Sequence, residues 1–364
     1  MEIIQVGRSP VRSSRVVFGT MAIGAARQDI RRRIETIRAA VDAGITTLDT
    51  APLYDFGLCE QTVGQAIAGI RDRVQIFTKV GLRWDDAHGD IMFTTRDEHG
   101  AKIAVRKNSR PESLRIEVDR SLQRLRVDVL DMVFVHQLDA HTPVSETMGA
   151  LRDLLHEGKL RAIGVSMNYS RLHVLEAQRA LGDVPLASVQ IPYSLLERRH
   201  ERELLPLARE QGFGVVIHSP LERGLLTGQF TPSTKLVRDD VRRLSANFHP
   251  DNITRVVDAL RRGVEPVATG RGATIAQVVL AWVLARPEVS AVVVGASWRQ
   301  QALANAAAAE LQLSADERAA IDLVFDDLRL DPDAGLGVVA QLERQGRRLV
   351  SGARRWLARA FGKP

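Results

Sequence analysis

Strand-like and helix-like segments alternate without a break from about residue 16 to residue 325, and this alternation restricts the chain to very few folds. Short β-branched runs at 16–20, 45–49, 74–79, 130–136, 160–165, 187–191, 213–218 and 290–294 read as strands. Apolar residues at helical spacing mark 30–43, 58–70, 111–125, 145–157, 170–181, 200–211, 252–263, 273–286, 298–309 and 314–326. Eight strand–helix repeats in one stretch predict an α/β fold closed into a (β/α)8 TIM barrel. A doubly wound sheet would carry a glycine-rich phosphate loop after its first strand, and none stands there. The one GxGxxA match, at 335–340, has no strand before it and reads as chance. The leading segment IIQVGRSPVRSSRVVFG resembles a β-hairpin plugging the barrel floor. The expected organisation is a barrel over 1–326 and a tail over 327–364.

Local signals support these segments. Gly44, Gly158 and Gly212 follow predicted helices, where a left-handed residue turns the chain into the next strand. Ser314 and Glu317 have capping-box spacing, and Ser109 ahead of Pro111 predicts a capped helix start. Two connections, 82–108 and 219–251, are long enough to be functional and would lie on the C-terminal rim. In the first, His88, Asp90, Asp97 and His99 fall in DDAHGD and RDEHGA, which read as two turns of a β-hairpin rather than a metal site. No metal is expected.

Cys59 is the only cysteine, which excludes an intramolecular disulfide and a cysteine-based metal cluster and suits a reducing cytoplasm. The formal charge is +6, yet residues 341–364 alone hold seven basic side chains against Glu343, the same +6. The first 340 residues are therefore formally neutral, and a nucleic-acid partner is not expected. In the tail, Leu349, Ala353, Trp356, Leu357 and Ala360 recur at helical spacing between arginines. Such a basic amphipathic helix could pack on its own barrel, join a second subunit in an oligomer, or lie on an anionic membrane surface.

Four strand-end residues carry the chemistry. Asp49 closes ITTLDT, Tyr54 follows it, Lys79 ends VQIFTK and His136 ends LDMVFVH. Active sites of barrels are built at such strand ends. A phenol can give a proton to a carbonyl oxygen if a neighbouring ammonium pulls its pKa towards neutrality; Asp49 would hold Lys79 charged and oriented. His136 would orient the substrate oxygen. Hydride must come from a cofactor, which implies a nicotinamide.

The chain resembles the aldo/keto reductase family from residue 3 to about 326. The motifs that carry the likeness are FGTMAIG, GITTLDTAPLYDFGLCEQTVGQAI, FTKVGLRW, RPESLRIEVDRSLQRLRVDVLDMVFVHQLD, GKLRAIGVS, VQIPYSLLERR, IHSPLERGLLTGQF and AVVVGASWRQQALAN. The segments around DTAPLYDFG and KVGLRW are most like its bacterial reductases and aldose dehydrogenases. The resemblance implies that Asp49, Tyr54, Lys79 and His136 form a catalytic tetrad acting on a small-molecule carbonyl or alcohol with NADP, or NAD, as cofactor. It further implies that Ser166, Asn168 and Gln190 hold the nicotinamide carboxamide, with His218 where a stacking tyrosine is common. Ser219, Leu221 and Gly224 would line the pyrophosphate. Gly295, Ser297, Gln301 and Asn305 would meet the adenosine end, and Arg299 could reach a 2′-phosphate. Met167, Gln137, His218 and Ser297 depart from the family pattern in the cofactor and substrate shell. Two rival readings are a nicotinamide-binding sensor that signals through its tail and a barrel isomerase or lyase without a redox cofactor.

Overall fold

The computed structural model describes residues 1–21, 29–97, 100–166, 169–236 and 240–334. The chain begins with an antiparallel hairpin, β1 (Ile3–Gln5) and β2 (Arg12–Ser14). Three barrel strands follow, β3 (Val16–Gly19), β4 (Thr47–Asp49) and β5 (Gln75–Val80). Then β6 (Leu82–Arg83), β7 (Ile91–Arg96) and β8 (Lys102–Lys107) form a separate antiparallel sheet. Five more strands complete the barrel: β9 (Met132–Val135), β10 (Ile163–Val165), β11 (Ser188–Pro192), β12 (Gly214–His218) and β13 (Val289–Gly295). All eight pair in parallel, and Gly295 opposite Gly19 closes the ring.

Eleven α-helices are present among the described residues: α1 (Ile30–Asp42), α2 (Leu58–Ala66), α3 (Pro111–Leu125), α4 (Val144–His156), α5 (Arg171–Leu181), α6 (Leu204–Gln211), α7 (Pro250–Ala259), α8 (Glu265–Arg271), α9 (Ile275–Leu284), α10 (Arg299–Ala307) and α11 (Ala315–Asp326). The predicted strands and helices are all found, with boundary differences of a few residues. The stretch predicted as one helix over 252–263 is longer and broken: a π-turn at Leu260–Val264 joins α7 to α8, with Pro266 just beyond. None of the helices is long and apolar enough to cross a membrane alone.

Strand alternation explains where each side chain goes. Ile76, Val133, Val135, Ile163, Val165, Val189, Val215 and Ile217 face outward into the core shared with the helices. Their neighbours Phe77, Met132, Phe134 and Val216 fill the barrel interior, where Val6 and Val11 of the floor hairpin pack against them. Gly164 completes this layer: a Cβ there would stand 2.5 Å from the Phe134 ring. The hairpin is thus a plug of the barrel floor, as the leading segment suggested. The same inward parity, continued upward, assigns Asp49, Lys79, His136, Ser166, Gln190 and His218 to the top of the barrel interior.

Gly44, Gly158 and Gly212 have φ of 91°, 78° and 76°, and the Ser314–Glu317 capping box is formed. The predicted Ser109 cap is not. The N-cap of α3 is Arg110, and the buried Ser109 hydroxyl has no partner. The first long connection is also a sheet rather than a simple hairpin. β7 and β8 pair as an antiparallel hairpin, but DDAHGD leads from β6 past β8 to the outer strand β7. Asn168 and Met167, His99, the 335–340 match and the basic tail lie outside the described residues.

One buried titratable group lies under the site. Glu117 of α3 receives the Gly81 N–H on both carboxylate oxygens, at 3.0 and 3.2 Å. Burial pushes its carboxyl up to about 8, against the pull of the Gly81 N–H and Arg83. Its value in the unfolded chain is near 4.5, so its contribution to stability is complete below that pH and lost as pH rises through about 8. Glu117→Gln keeps a carbonyl acceptor for Gly81 and carries no charge. Urea denaturation across this pH range should show wild-type stability falling relative to the variant, by on the order of 5 kcal/mol at the alkaline limit.

Candidate active site

The core of the site is a buried ion pair. Lys79 Nζ donates to Asp49 Oδ1 at 2.6 Å and to the Thr50 carbonyl at 2.9 Å. The second Asp49 oxygen accepts from Gln190 Nε2 at 2.7 Å. Lys79 and Asp49 are 1% and 2% exposed, so their charges are held by these partners rather than by water. The Lys79 ammonium also faces the Tyr54 ring, 4.8 Å from its centroid. Burial opposes the Lys79 charge, but Asp49 and Tyr54 outweigh it and hold the ammonium above the ordinary lysine value.

Tyr54 departs from expectation in one respect. Burial, the largest influence, pushes the phenol above its ordinary value of 10; Lys79 pulls down but does not prevail. The phenol therefore remains protonated at neutral pH instead of being drawn towards neutrality. His136, edge-on to Tyr54 with ring centroids 6.0 Å apart, is buried. Burial, then Lys79 and His218, keep its pKa well below the usual histidine range, so it is a neutral imidazole.

The turn bearing Tyr54 is fixed from several sides. Asp55, Phe56 and Gly57 are all left-handed, with φ of 52°, 52° and 90°. Only a firmly held loop keeps two non-glycine residues there. Arg33 of α1 pairs with Asp55 at 3.4 Å. Glu60, fully buried at the start of α2, accepts from the Thr78 hydroxyl at 2.7 Å and from Arg124 Nε at 2.6 Å. A Cβ on Gly57 would meet Arg124 Cδ at 2.7 Å, so the stem of that arginine lies against the turn. Glu60 thereby joins the Tyr54 turn to the strand carrying Lys79.

The sequence did not single out Glu60, Arg124 or Thr78; the one available signal was Glu60 itself, a carboxylate on the apolar side of α2. Cys59 is a packed residue: its thiol lies 3.7 Å from the Thr20 carbonyl, and burial pushes it up to about 12.

Around this core the rim has unmet polar capacity. Thr20 Oγ1, Thr50 Oγ1 and His218 Nε2 are buried and lack hydrogen-bond partners. They stand at the ends of β3, β4 and β12, on the same rim as the ion pair. Buried polar atoms are otherwise nearly always paired, so this set suits a polar ligand such as a nicotinamide. His218 has its Nδ1 3.1 Å from the Ser219 hydroxyl, and burial followed by Lys79 lowers it to about 3. Ser166 Oγ donates to the Gln190 carbonyl at 3.1 Å. Gln190 thus presents to a carboxamide only what its bond to Asp49 leaves free.

After β12 the chain makes a tight turn, with Ser219, Glu222, Arg223 and Gly224 at positive φ. The Gly224 N–H is used within it, donating to the Leu221 carbonyl at 2.9 Å. At the end of β13, Gln301 Oε1 accepts from the Ser297 N–H at 2.8 Å, and Asn305 Nδ2 donates to the Gly295 carbonyl at 3.2 Å. These two amides shape their own loop. Among the described residues no group of three or more His, Cys, Asp or Glu is placed to hold a metal ion.

Comparison with known proteins agrees with this arrangement. The Aldo/keto reductase family matches residues 15–325. The chain is 36% identical over 323 residues to the NADH-specific methylglyoxal reductase of Escherichia coli, spanning 86% of this chain and 95% of that protein. It is 33% identical to aldo-keto reductase YhdN of Bacillus subtilis, over 91% of this chain and 96% of that protein. The structure of glycerol dehydrogenase AKR11B4 from Gluconobacter oxydans superposes with a TM-score of 0.80 at 33% identity, covering 91% of this chain and 98% of that one. With its closed parallel barrel and a family match spanning nearly all of the described barrel, the chain belongs to the aldo/keto reductase family and is an oxidoreductase of carbonyls and alcohols.

Proposed function

We propose that this protein interconverts an aldehyde or ketone and its alcohol using NADP(H) in preference to NAD(H), with Tyr54 as the general acid and base. The observation that carries this reading is the buried Lys79–Asp49 pair beside Tyr54, with the ammonium 4.8 Å from the phenol ring. Bound nicotinamide supplies or accepts the hydride at the substrate carbon. The chain's own residues manage the oxygen. Tyr54 Oη gives its proton as negative charge develops there, and the fixed Lys79 charge stabilises the phenolate left behind. Asp49 keeps Lys79 in place, and Gln190 holds the other side of Asp49. Neutral His136 orients the substrate oxygen by a hydrogen bond without competing for the proton.

Relatives named for methylglyoxal reduction and for glycerol oxidation make small polar carbonyls and polyols the first compounds to test. A pure sensor would have no use for a phenol–ammonium pair. The single buried thiol suits a cytoplasmic setting.

Tyr54→Phe should lower carbonyl reduction by roughly 10²–10⁴-fold while dinucleotide affinity, read by quenching of protein fluorescence, stays near wild type. Near-normal turnover in this variant would remove Tyr54 from the mechanism. Glu60→Gln should loosen the link between the Tyr54 turn and the Lys79 strand, cutting kcat roughly tenfold or more with little change in cofactor binding. The phenol lies above 10 and His136 well below 6.5, so neither titrates between those values. With protonated Tyr54 as the acid, carbonyl reduction should be level from about pH 7 to 9; alcohol oxidation, which needs the phenolate, should rise with pH. Steady-state rates in both directions across that range test the assignment.

A further inference from the structure

One arrangement on the rim is not used by the tetrad. Trp298 lies in the connection between β13 and α10 and is 46% exposed. The Arg32 guanidinium of α1 sits 3.6 Å from the centroid of that indole ring. Its Nη2 also donates to the Ser297 carbonyl at 3.3 Å. The pairing of Gly295 with Gly19 sets the ends of β13 and β3 side by side, and α1 packs against α10 beside this loop.

Among the described residues, no carboxylate pairs with Arg32 or with the exposed Arg299 beside Trp298. The nearby amides are committed, Gln301 to the Ser297 N–H and Asn305 to the Gly295 carbonyl. The unfilled donors in this corner are therefore guanidinium groups. A guanidinium seated over an aromatic face leaves N–H groups at its edge, and such a fork can take two oxygens of one phosphate. Stacking on Trp298 also restricts the side chain before any ligand arrives, which lowers the entropic cost of binding.

We infer that Arg32, preset on Trp298, is the residue that selects the phosphorylated dinucleotide: it receives the 2′-phosphate of the adenosine ribose. This rests on the dinucleotide-dependent reaction proposed above. It assigns the selection to α1, outside the loop motif that carries Arg299. A relative 36% identical to this chain is named NADH-specific, and the selection proposed here would set this chain apart from it.

The test uses the full-length protein, titrated calorimetrically with 2′,5′-ADP and with 5′-AMP. Wild type should bind 2′,5′-ADP about 10- to 100-fold more tightly than 5′-AMP, the range expected of charge-assisted hydrogen bonds. Arg32→Ala should bring that ratio close to one, and Arg32→Lys should restore it in part, since the charge returns without the fork. Absence of discrimination in wild type overturns the inference, as does its survival in Arg32→Ala or its loss only in Arg299→Ala. Carbonyl reduction followed with NADH separates the two readings. Turnover with no 2′,5′-ADP preference leaves the reductase standing and removes Arg32; no turnover and no binding of either nucleotide removes both.

Discussion

The structure turns on one buried charge pair. Placing Lys79 and Asp49 inside a barrel otherwise lined by Phe77, Met132, Phe134 and Val216 is costly, because both ions leave water. The fold meets that cost with further polar partners, the Thr50 carbonyl for Lys79 and the Gln190 amide for Asp49, and sets the Tyr54 ring beside the ammonium. Each partner is brought in by a different strand or by the turn after one. Parallel register and shared strand parity are what make these donors and acceptors converge.

Much of this was legible in the sequence. Asp49, Lys79 and His136 were visible because short β-branched runs end on polar residues, whereas the inward parity they share was hidden, since a parallel strand such as MVFV is buried on both faces and reads as one apolar run. The floor hairpin was visible from the turn between two extended runs. Other features depend on distances between segments far apart in the chain. That Gln190 Nε2 is committed to Asp49 follows from a contact spanning 141 positions. The upward displacement of the Tyr54 phenol follows from how completely the rim excludes water, and spacing carries no information on that. Glu60 and Arg124 meet across α2 and α3, while the order β6–β8–β7 required knowing which edge the chain passes.

The cofactor side shows the reverse relation. Ser297, Gln301 and Asn305 were noticed as a motif, yet two of the three side chains hold their own loop together. Such residues act by shaping a surface, with the ligand's groups met by neighbours that the motif does not include. A motif locates a site more reliably than it assigns the individual bonds.

Val6 and Val11 of the floor hairpin seal the lower end of the barrel with side chains as firmly packed as the interior itself. Above that plug Phe77, Met132, Phe134 and Val216 fill the barrel, so no passage runs through it and the rim around Lys79 is the one end of the barrel axis still open to a ligand. Chemistry is confined to one face of the molecule by the way the opposite face is closed.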